Sequence, residues 1–234
     1  MKTTPKIIAL LPMKANSERV KNKNFRNFNG KPLFRWILDT LLSIPAINRV
    51  VINTDARDRL MQAGLKEGER LLIRNRRTDL CGDHISMNLI IADDLKHSPS
   101  DIYVMTHTTN PLLSAVTIKE ALHQFMTAKE QGQCDSLFTV NRVQTRFYRK
   151  DGSAVNHDPN QLMRTQDLEP WFEENSNLYI FTRDSFDKTC ARIGKKPYLY
   201  ETPRFESIDI DDQHDWDFAE IATRLLIEKE GICC

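Results

Sequence analysis

Short apolar runs alternate with amphipathic segments along most of the chain. The strand-like runs KIIALLPM, RVVINT and DIYVMTH are followed by helical patterns, such as PLFRWILDTLLS after the first and AVTIKEALHQFMTAKEQ after the third. Unbroken apolar runs such as IIALL are typical of strands that are buried on both faces. Repeated strand-then-helix units favour a mostly parallel sheet covered by helices. The pattern therefore predicts an α/β layered fold.

This alternation stops between about Asn141 and Asn175. The segment is rich in Arg, Asp, Asn and Pro, and its Asp151-Gly152 pair is typical of a hairpin turn. We interpret it as an inserted arm of a single domain that spans residues 1–234.

Strand and helix patterns resume after the arm. NLYIFT, PYLYET and ESIDI have strand-like patterns, and helices are expected near Arg183 to Cys190 and from about Gln213 to Lys229.

Composition narrows the class of protein. The chain has 33 Lys and Arg against 32 Asp and Glu, with 40% hydrophobic and 28% charged residues, as in ordinary globular proteins. Neither nucleic acid nor membrane is expected as a main partner. No apolar stretch reaches the ~20 residues that span a bilayer, and MKTTPK shows no cleavable pattern, so a cytoplasmic location is expected. The cysteines lack zinc-site spacing and are interpreted as reduced thiols, including a tail pair that we read as an incidental chain end; they are Cys81, Cys134, Cys190, Cys233 and Cys234.

Positive charge is concentrated in the loop that follows the first predicted strand. Residues 14–31 carry six basic side chains and only Glu18 to oppose them. In open α/β sheets, ligands bind beyond the carboxyl ends of the strands. Several cationic donors at such an end suit a polyphosphate, although a solvated basic loop is the alternative interpretation. GxxxxGK[ST] and GxGxxG are both absent, which argues against a P-loop and a dinucleotide site.

A series of segments, in order, carries a resemblance to a known family. They are LPMKANSERVKNKN with NGKPLFRWIL, then NTD at 53–55, LCGD at 80–83, HTTNPL at 107–112, NSNLYI at 175–180, and SIDIDDQHDW. This set resembles the CTP:sugar-acid cytidylyltransferases, above all the acylneuraminate cytidylyltransferases. The resemblance covers nearly the whole chain. It implies a three-layer α/β/α, Rossmann-like fold of the nucleotide-diphosphosugar transferase type.

The resemblance also implies an activity. CMP would pass from CTP to the anomeric hydroxyl of a 2-keto-3-deoxy sugar acid, with Mg²⁺ as cofactor and pyrophosphate as the other product. The chain would form a homodimer in which the arm crosses to the second subunit and helps to form the sugar pocket; a simple surface hairpin is the alternative.

Several alternatives remain open at this point. The acceptor could instead be 3-deoxy-manno-octulosonate, a legionaminic-type acid or a phosphonate, and GTP could replace CTP. A non-catalytic nucleotide-binding protein of the same fold is a remoter alternative, against which the presence of Lys23, Asp209 and Asp211 weighs.

The same resemblance implies roles for individual residues. Lys23 matches the family's essential lysine and is expected to be catalytic together with Lys14 and Asp211. The nucleotide is expected to contact Leu11, Pro12, Met13, Lys14, Asn16, Ser17, Lys23, Asn24, Arg76, Asp83 and Ser86, with Arg74 and Arg77 as competing candidates for the role of Arg76. The sugar acid is expected to contact His107, Thr109, Arg164, Gln166 and Asn175.

Two of these positions depart from the family pattern. Lys14 stands where an arginine is usual, which replaces a planar bidentate donor with a point charge. His107 stands where a sugar-contacting glutamine is usual, so the nature of the acceptor is open.

Asp209 and Asp211 are the implied Mg²⁺ ligands. They lie two apart in the strand-like SIDID, and alternation is expected to place both carboxylates on one face with Cα atoms about 6.5 Å apart. Alternatively, Asp211 or Asp212 is only the N-cap of the helix that begins near Gln213. No residue is identified as a general base.

Overall fold

The fold is known from a computed structural model that describes residues 4–161 and 163–230, the last two without their side chains. Seven strands form a central sheet, in the order β5-β4-β1-β6-β8-β7-β9, and β2 and β3 form a small separate ribbon. Of the seven, only β8 runs against its neighbours, so the sheet is mostly parallel, as predicted. The strands are β1 (Ile7–Leu10), β2 (Asn27–Phe28), β3 (Lys31–Pro32), β4 (Arg49–Thr54), β5 (Leu71–Asn75), β6 (Ile102–Thr106), β7 (Ser136–Val143), β8 (Trp171–Phe181) and β9 (Pro197–Glu201).

Helices cover both faces of this sheet, which confirms the three-layer prediction. In β1, Ile7 and Ala9 belong to the core formed with α1 and α4, whereas Ile8 and Leu10 face the core formed with α3 and α5. Burial on both sides is the physical reason for the unbroken IIAL run. The helices are α1 (Leu33–Ser43), α2 (Arg57–Gln62), α3 (Met87–His97), α4 (Ala115–Glu130), α5 (Arg183–Thr189) and α6 (Gln213–Glu230).

The strand β5, the helix α3 and the two short strands β2 and β3 had no counterpart in the sequence analysis. In α3, Asp93 and Asp94 are buried beside Ile90, Ile91 and Leu95. Buried carboxylates interrupt the apolar stripe by which an amphipathic helix is recognised.

The strand predicted at ESIDI is wrong. Arg204–Ser207 forms a 3₁₀ turn, and the residues from Ile208 to Asp212 join no strand ladder. Ile210 is fully buried beside Trp216, and its N–H donates to the Thr109 carbonyl at 2.9 Å. The apolar and polar alternation therefore reflects an extended loop with one anchored side chain.

The segment interpreted as an arm lies between the paired strands β7 and β8. Their antiparallel register extends to Val143 opposite Trp171, so the two ends of the segment continue the sheet as a ribbon. At the Asp151-Gly152 turn, Gly152 has a φ of 84°, and its N–H donates to the Arg149 carbonyl at 2.9 Å. A left-handed φ at this position favours glycine, in agreement with the predicted turn.

Candidate active site

A cleft of about 340 Å³ opens beyond the carboxyl ends of β1 and β6. Most of the predicted nucleotide-binding residues line it together with two of the predicted sugar-binding residues. These are Pro12, Met13, Lys14, Asn16, Ser17, Lys23, Asn24, Arg76 and Asp83, with His107 and Thr109. Residues from distant parts of the chain thus meet at the edge where α/β sheets bind ligands.

Two predicted nucleotide-binding residues do not line the cleft. Leu11 is fully buried, and its N–H donates to the Val51 carbonyl at 2.9 Å. Ser86 is the N-cap of α3, where its hydroxyl accepts from the Asn88 N–H at 3.3 Å. In this structure both residues support elements next to the cleft.

The basic loop is held in place by hydrogen bonds to its neighbours. Asp55 Oδ1 accepts from the Ala15 N–H at 2.6 Å, and Arg59 Nη1 donates to the Ala15 carbonyl at 3.1 Å. Asn22 has a φ of 55°, a left-handed conformation that asparagine tolerates, and it starts the 3₁₀ turn Lys23–Phe25. This turn directs the Lys23 side chain to the segment that holds the two predicted metal ligands.

Lys23 connects the loop to that segment. Its Nζ donates to the Ile210 carbonyl at 2.6 Å, and the residue is only 9% exposed. Burial lowers the pKa of Lys23, and the negative charges of Asp211 and Asp209 oppose that shift. The ammonium of a cleft-lining residue therefore contacts the backbone between Asp209 and Asp211, which do not themselves line the cleft.

Lys14 and Asp83 are joined directly. Lys14 Nζ lies 2.7 Å from Asp83 Oδ1, and about half of each side chain is exposed. The hydrogen bond from Lys14 is the main reason that the pKa of Asp83 lies below its usual value. An exposed pair of this kind is weak, so either partner is available to a ligand that enters the cleft.

The polar atoms of Asn24 and Arg76 make most of their hydrogen bonds to other groups of the protein. Asn24 donates to the Lys14 carbonyl at 2.8 Å and accepts from the Thr108 hydroxyl at 2.6 Å. Arg76 Nη2 donates to the carbonyls of Met13 and Asn53, at 3.1 and 2.7 Å. Both side chains therefore fix the shape of the cleft wall.

The three candidate arginines now have distinct positions. Arg76 lines the cleft, whereas Arg74 pairs with the buried Asp93 and Asp94, and Arg77 pairs with Asp79 at 2.7 Å. Burial raises the pKa of Asp94 to about 6, although hydrogen bonds from Asn53 and Arg74 act against that shift.

The two predicted metal ligands lie on either side of the buried Ile210. Asp209 Oδ1 is buried and has no hydrogen-bond partner among the described residues. Burial raises the pKa of Asp209, while a hydrogen bond with Thr109 lowers it. Asp211 Oδ1 accepts from Arg19 Nη2 at 2.9 Å and is half-exposed.

The N-cap of α6 is Asp212 and not Asp211. Asp212 Oδ1 accepts from the N–H groups of His214 and Asp215, at 2.8 and 3.1 Å. Asp215 Oδ2 in turn accepts from the N–H groups of Asp211 and Asp212, each at 3.0 Å. The carboxylate of Asp211 thus has no capping role.

In the part of the chain that the structure describes, no group of three or more His, Cys, Asp or Glu side chains is arranged to hold a metal. Mg²⁺ usually takes one or two carboxylates and completes its shell with substrate phosphates and water. The unpartnered oxygen of Asp209 and the half-exposed carboxylate of Asp211, two residues along the chain, fit that pattern by chemical type.

The predicted sugar-binding residues are divided between two places. His107 and Thr109 line the cleft. Arg164 pairs with Asp167 inside the arm at 2.7 Å, and Gln166 is exposed there. Asn175 is buried in the β7–β8 ribbon, where its amide donates to Thr202 at 2.7 Å. None of the three arm and ribbon residues lines the cleft of its own chain.

A cluster around Arg192 was missed by the sequence analysis. The Arg192 guanidinium lies over the Tyr179 ring, 3.7 Å from its centroid, and its Nη1 lies 3.3 Å from His107 Nε2. Burial and the charges of Arg192 and Lys23 lower the pKa of His107 to about 3. Tyr179 is part of the NSNLYI motif, but Arg192 belongs to no motif.

Other features lie outside the cleft. A larger, mainly apolar cavity of about 750 Å³ is lined by parts of α1, α4 and α6 and contains none of the predicted site residues. Cys81, Cys134 and Cys190 are free thiols, whereas Cys233 and Cys234 lie outside the described residues. None of the helices among residues 4–161 and 163–230 is both long and apolar enough to cross a membrane.

Comparison with known proteins adds a second line of observation. The sequence model of a family described as cytidylyltransferase matches residues 8–222. The chain is 25% identical to a pseudaminic acid cytidylyltransferase of Campylobacter jejuni, over 92% of this chain and 95% of that protein. It is 27% identical to N-acylneuraminate cytidylyltransferase B of Danio rerio, over 91% of this chain but only half of that protein.

Solved structures support the same fold. A CMP:2-keto-3-deoxy-manno-octonic acid synthetase, solved in complex with CTP, matches 95% of this chain and 99% of its own, with a TM-score of 0.64 and 14% identity. A 4-diphosphocytidyl-2C-methyl-D-erythritol synthase from Anaerococcus prevotii matches 94% of this chain and 99% of its own, with a TM-score of 0.65 and 12% identity.

Proposed function

The chain belongs to the cytidylyltransferase family, and from that premise we propose that it transfers CMP from CTP to the anomeric hydroxyl of a 2-keto-3-deoxy sugar acid. The observation that carries the proposal is the position of Lys23, a buried lysine that lines the cleft together with the basic loop and donates from its Nζ to the carbonyl of Ile210, the residue between Asp209 and Asp211. The names of the two curated relatives favour a sialic-acid-like acceptor over other acceptor classes.

Catalysis would depend mainly on positioning and charge. The sugar hydroxyl would attack the α-phosphate of CTP in line with the departing pyrophosphate. Lys14 and Lys23 would neutralise charge that develops on the phosphates. The ordered loop would hold these two cations before the substrate arrives, because Ala15 is fixed by Asp55 and Arg59.

We propose that Asp209 and Asp211 hold Mg²⁺. The cation, when bound, would polarise the α-phosphate and neutralise the leaving pyrophosphate. Arg19 would then exchange its pairing with Asp211 for a phosphate contact, because the exposed pair is weak.

His107 is an unsuitable general base in this arrangement. A pKa of about 3 makes the imidazole neutral and weakly basic at physiological pH. We propose that it orients the acceptor by hydrogen bonding.

The reaction itself is the first prediction. A screen that crosses four nucleoside triphosphates with a panel of eight- and nine-carbon keto sugar acids and Mg²⁺ should give pyrophosphate and a CMP-sugar in equal amounts, with CTP preferred over GTP. Pyrophosphate is measured enzymatically, and the sugar nucleotide by mass spectrometry. If no acceptor stimulates pyrophosphate release with any triphosphate, the assignment as an active transferase of this type is wrong, and a non-catalytic nucleotide-binding role becomes the better explanation.

We further propose a homodimer in which the arm completes the partner's sugar pocket. Arg164 and Gln166 do not line the cleft of their own chain, and Trp171 and Phe172 at the base of the arm are about 40% exposed. Apolar exposure next to polar groups is typical of an interface. The arm would then supply cationic and amide donors to an acceptor bound in the other subunit.

Assembly gives the second prediction. The intact protein should be a dimer by light scattering at micromolar concentration, and Phe172→Asp should make it monomeric and much less active, since a charge in a buried interface is costly. Phe218→Asp, at a phenylalanine that is 60% exposed on α6, is the matched control and should remain dimeric.

A mixing experiment tests whether the site is shared. Lys23→Ala and Arg164→Ala should each be nearly inactive alone, but their co-expressed heterodimer contains one site with both residues intact. Recovery of activity in that heterodimer supports the shared pocket. A fully active monomer, or no recovery on co-expression, would contradict it.

A further inference from the structure

Arg192 is rigidly positioned in the turn that follows α5. Its guanidinium is stacked on Tyr179, and its Nη2 donates to the Tyr179 hydroxyl at 2.8 Å. Its backbone N–H donates to Asn88 Oδ1 at 3.3 Å, next to Met87 in the wall of the cleft. A guanidinium fixed in this way loses little conformational entropy when it binds a further group.

The charge of Arg192 is incompletely paired. The side chain is only 19% exposed, and the nearest carboxylate among the described residues, that of Glu174, lies 3.7 Å away. The same oxygen of Glu174 also accepts from the Tyr179 hydroxyl. The carboxylate of Glu174 is near Nη2, whereas the neighbours of Nη1 are neutral, Met105 Sδ at 3.7 Å and His107 Nε2 at 3.3 Å. A largely buried cation whose carboxylate neighbour is this distant and shared with Tyr179 is only loosely paired, so the position can accept a further anion.

His107 connects this cation to the cleft. Because Arg192 donates to His107 Nε2, that nitrogen accepts, and the neutral ring carries its proton on Nδ1. His107 lines the same cleft as Lys23 and Thr109. Arg192 does not itself line the cleft, so it lies behind His107, and an acceptor that extends past this neutral donor would reach the planar cation.

We propose that Arg192 is a specificity-determining residue that binds the carboxylate of the acceptor, beside His107. The inference rests on the proposed function, since a 2-keto-3-deoxy sugar acid bears its carboxylate on the anomeric carbon. A bidentate guanidinium–carboxylate pair fixes a plane as well as a distance. Binding at that group would orient the adjacent anomeric hydroxyl, which is the nucleophile.

The test compares a sugar acid with its methyl ester. With the acceptor from the panel that gives the highest turnover, the wild type should prefer the acid over the ester by on the order of 100-fold in kcat/KM, as expected for charge-assisted hydrogen bonds. Arg192→Met should lose most of that preference by losing activity toward the acid, with KM for CTP unchanged. Arg224→Met, at an exposed arginine on α6, is the control and should behave as the wild type.

Arg192→Lys keeps the positive charge but cannot form the planar bidentate pair. This second variant keeps the inference testable if Arg192→Met does not fold. It should retain the wild-type melting temperature and lose about tenfold in kcat/KM for the acid. An unchanged preference in Arg192→Met, wild-type kinetics in Arg192→Lys, or a rise in KM for CTP in place of the acceptor would overturn the inference while the proposed function stands. No turnover with any acceptor in the wild type would reject both.

Discussion

Lys23→Ala is expected to lower kcat by on the order of 100-fold, equivalent to about 3 kcal/mol of lost transition-state stabilisation. The reason is the position of its ammonium, which is buried in the wall of the cleft and donates to the backbone between Asp209 and Asp211. A charge fixed in such a place acts on phosphate charge without the screening that water gives. Steady-state kinetics with saturating CTP and acceptor measure the effect on kcat.

Lys21→Ala is the matched control, because Lys21 is an exposed lysine in the same loop. It should change kcat by less than twofold. The fold of Lys23→Ala should persist, since Asp55 and Asn24 still hold the loop through Ala15 and Lys14. If kcat of Lys23→Ala falls by threefold or less and its melting temperature is unchanged, Lys23 is a loop cation without a catalytic role.

The layered fold was predictable because its cause is local and repeated. Each residue of IIAL is buried on one of two sheet faces, so the run had to be apolar throughout. The elements without a predicted counterpart lack such a continuous apolar pattern, and α3 shows the physical reason. In α3, Asp93 and Asp94 are buried because Arg74, from the neighbouring β5, pairs with them. A pairing of that kind depends on the tertiary structure and is not visible in a window of sequence.

The failure at ESIDI has a similar origin. Apolar and polar residues alternate both in a strand and in an extended loop that anchors one apolar side chain. The two differ in whether the backbone is hydrogen-bonded to a neighbouring strand. Here Ile210 enters the core and its amide bonds to Thr109, so no ladder is needed.

The site was predictable to the extent that it lies in contiguous motifs. The resemblance identified the loop from Lys14 to Asn24, and the structure brings it to one cleft with Arg76 and His107. Arg192 was not predictable, because its role depends on packing against His107, which is 85 positions earlier in the chain.

Asp209→Asn and Asp211→Asn are each expected to lower turnover by on the order of 100-fold at limiting Mg²⁺, with partial recovery at high Mg²⁺. A hard cation needs anionic oxygen, and the amide of asparagine supplies only a neutral one. The thermal stability of both variants should change little. In Asp209→Asn a half-buried carboxylate with a raised pKa becomes neutral. In Asp211→Asn an exposed ion pair with Arg19 is lost, together with a charge that favours the Lys23 ammonium.

Two matched variants separate metal binding from the other roles of this segment. Asp212→Asn should be nearly silent, because Asp212 caps α6 through two backbone N–H groups and asparagine caps about as well. Arg19→Gln removes the partner of Asp211 and leaves its charge, so it should not change the Mg²⁺ concentration for half-maximal turnover. If Arg19→Gln raises the Mg²⁺ requirement as Asp211→Asn does, the carboxylate acts by holding Arg19. If Asp209→Asn and Asp211→Asn both turn over normally at limiting Mg²⁺, the cation is bound elsewhere, and Lys23 and Lys14 alone neutralise the leaving pyrophosphate from the protein side.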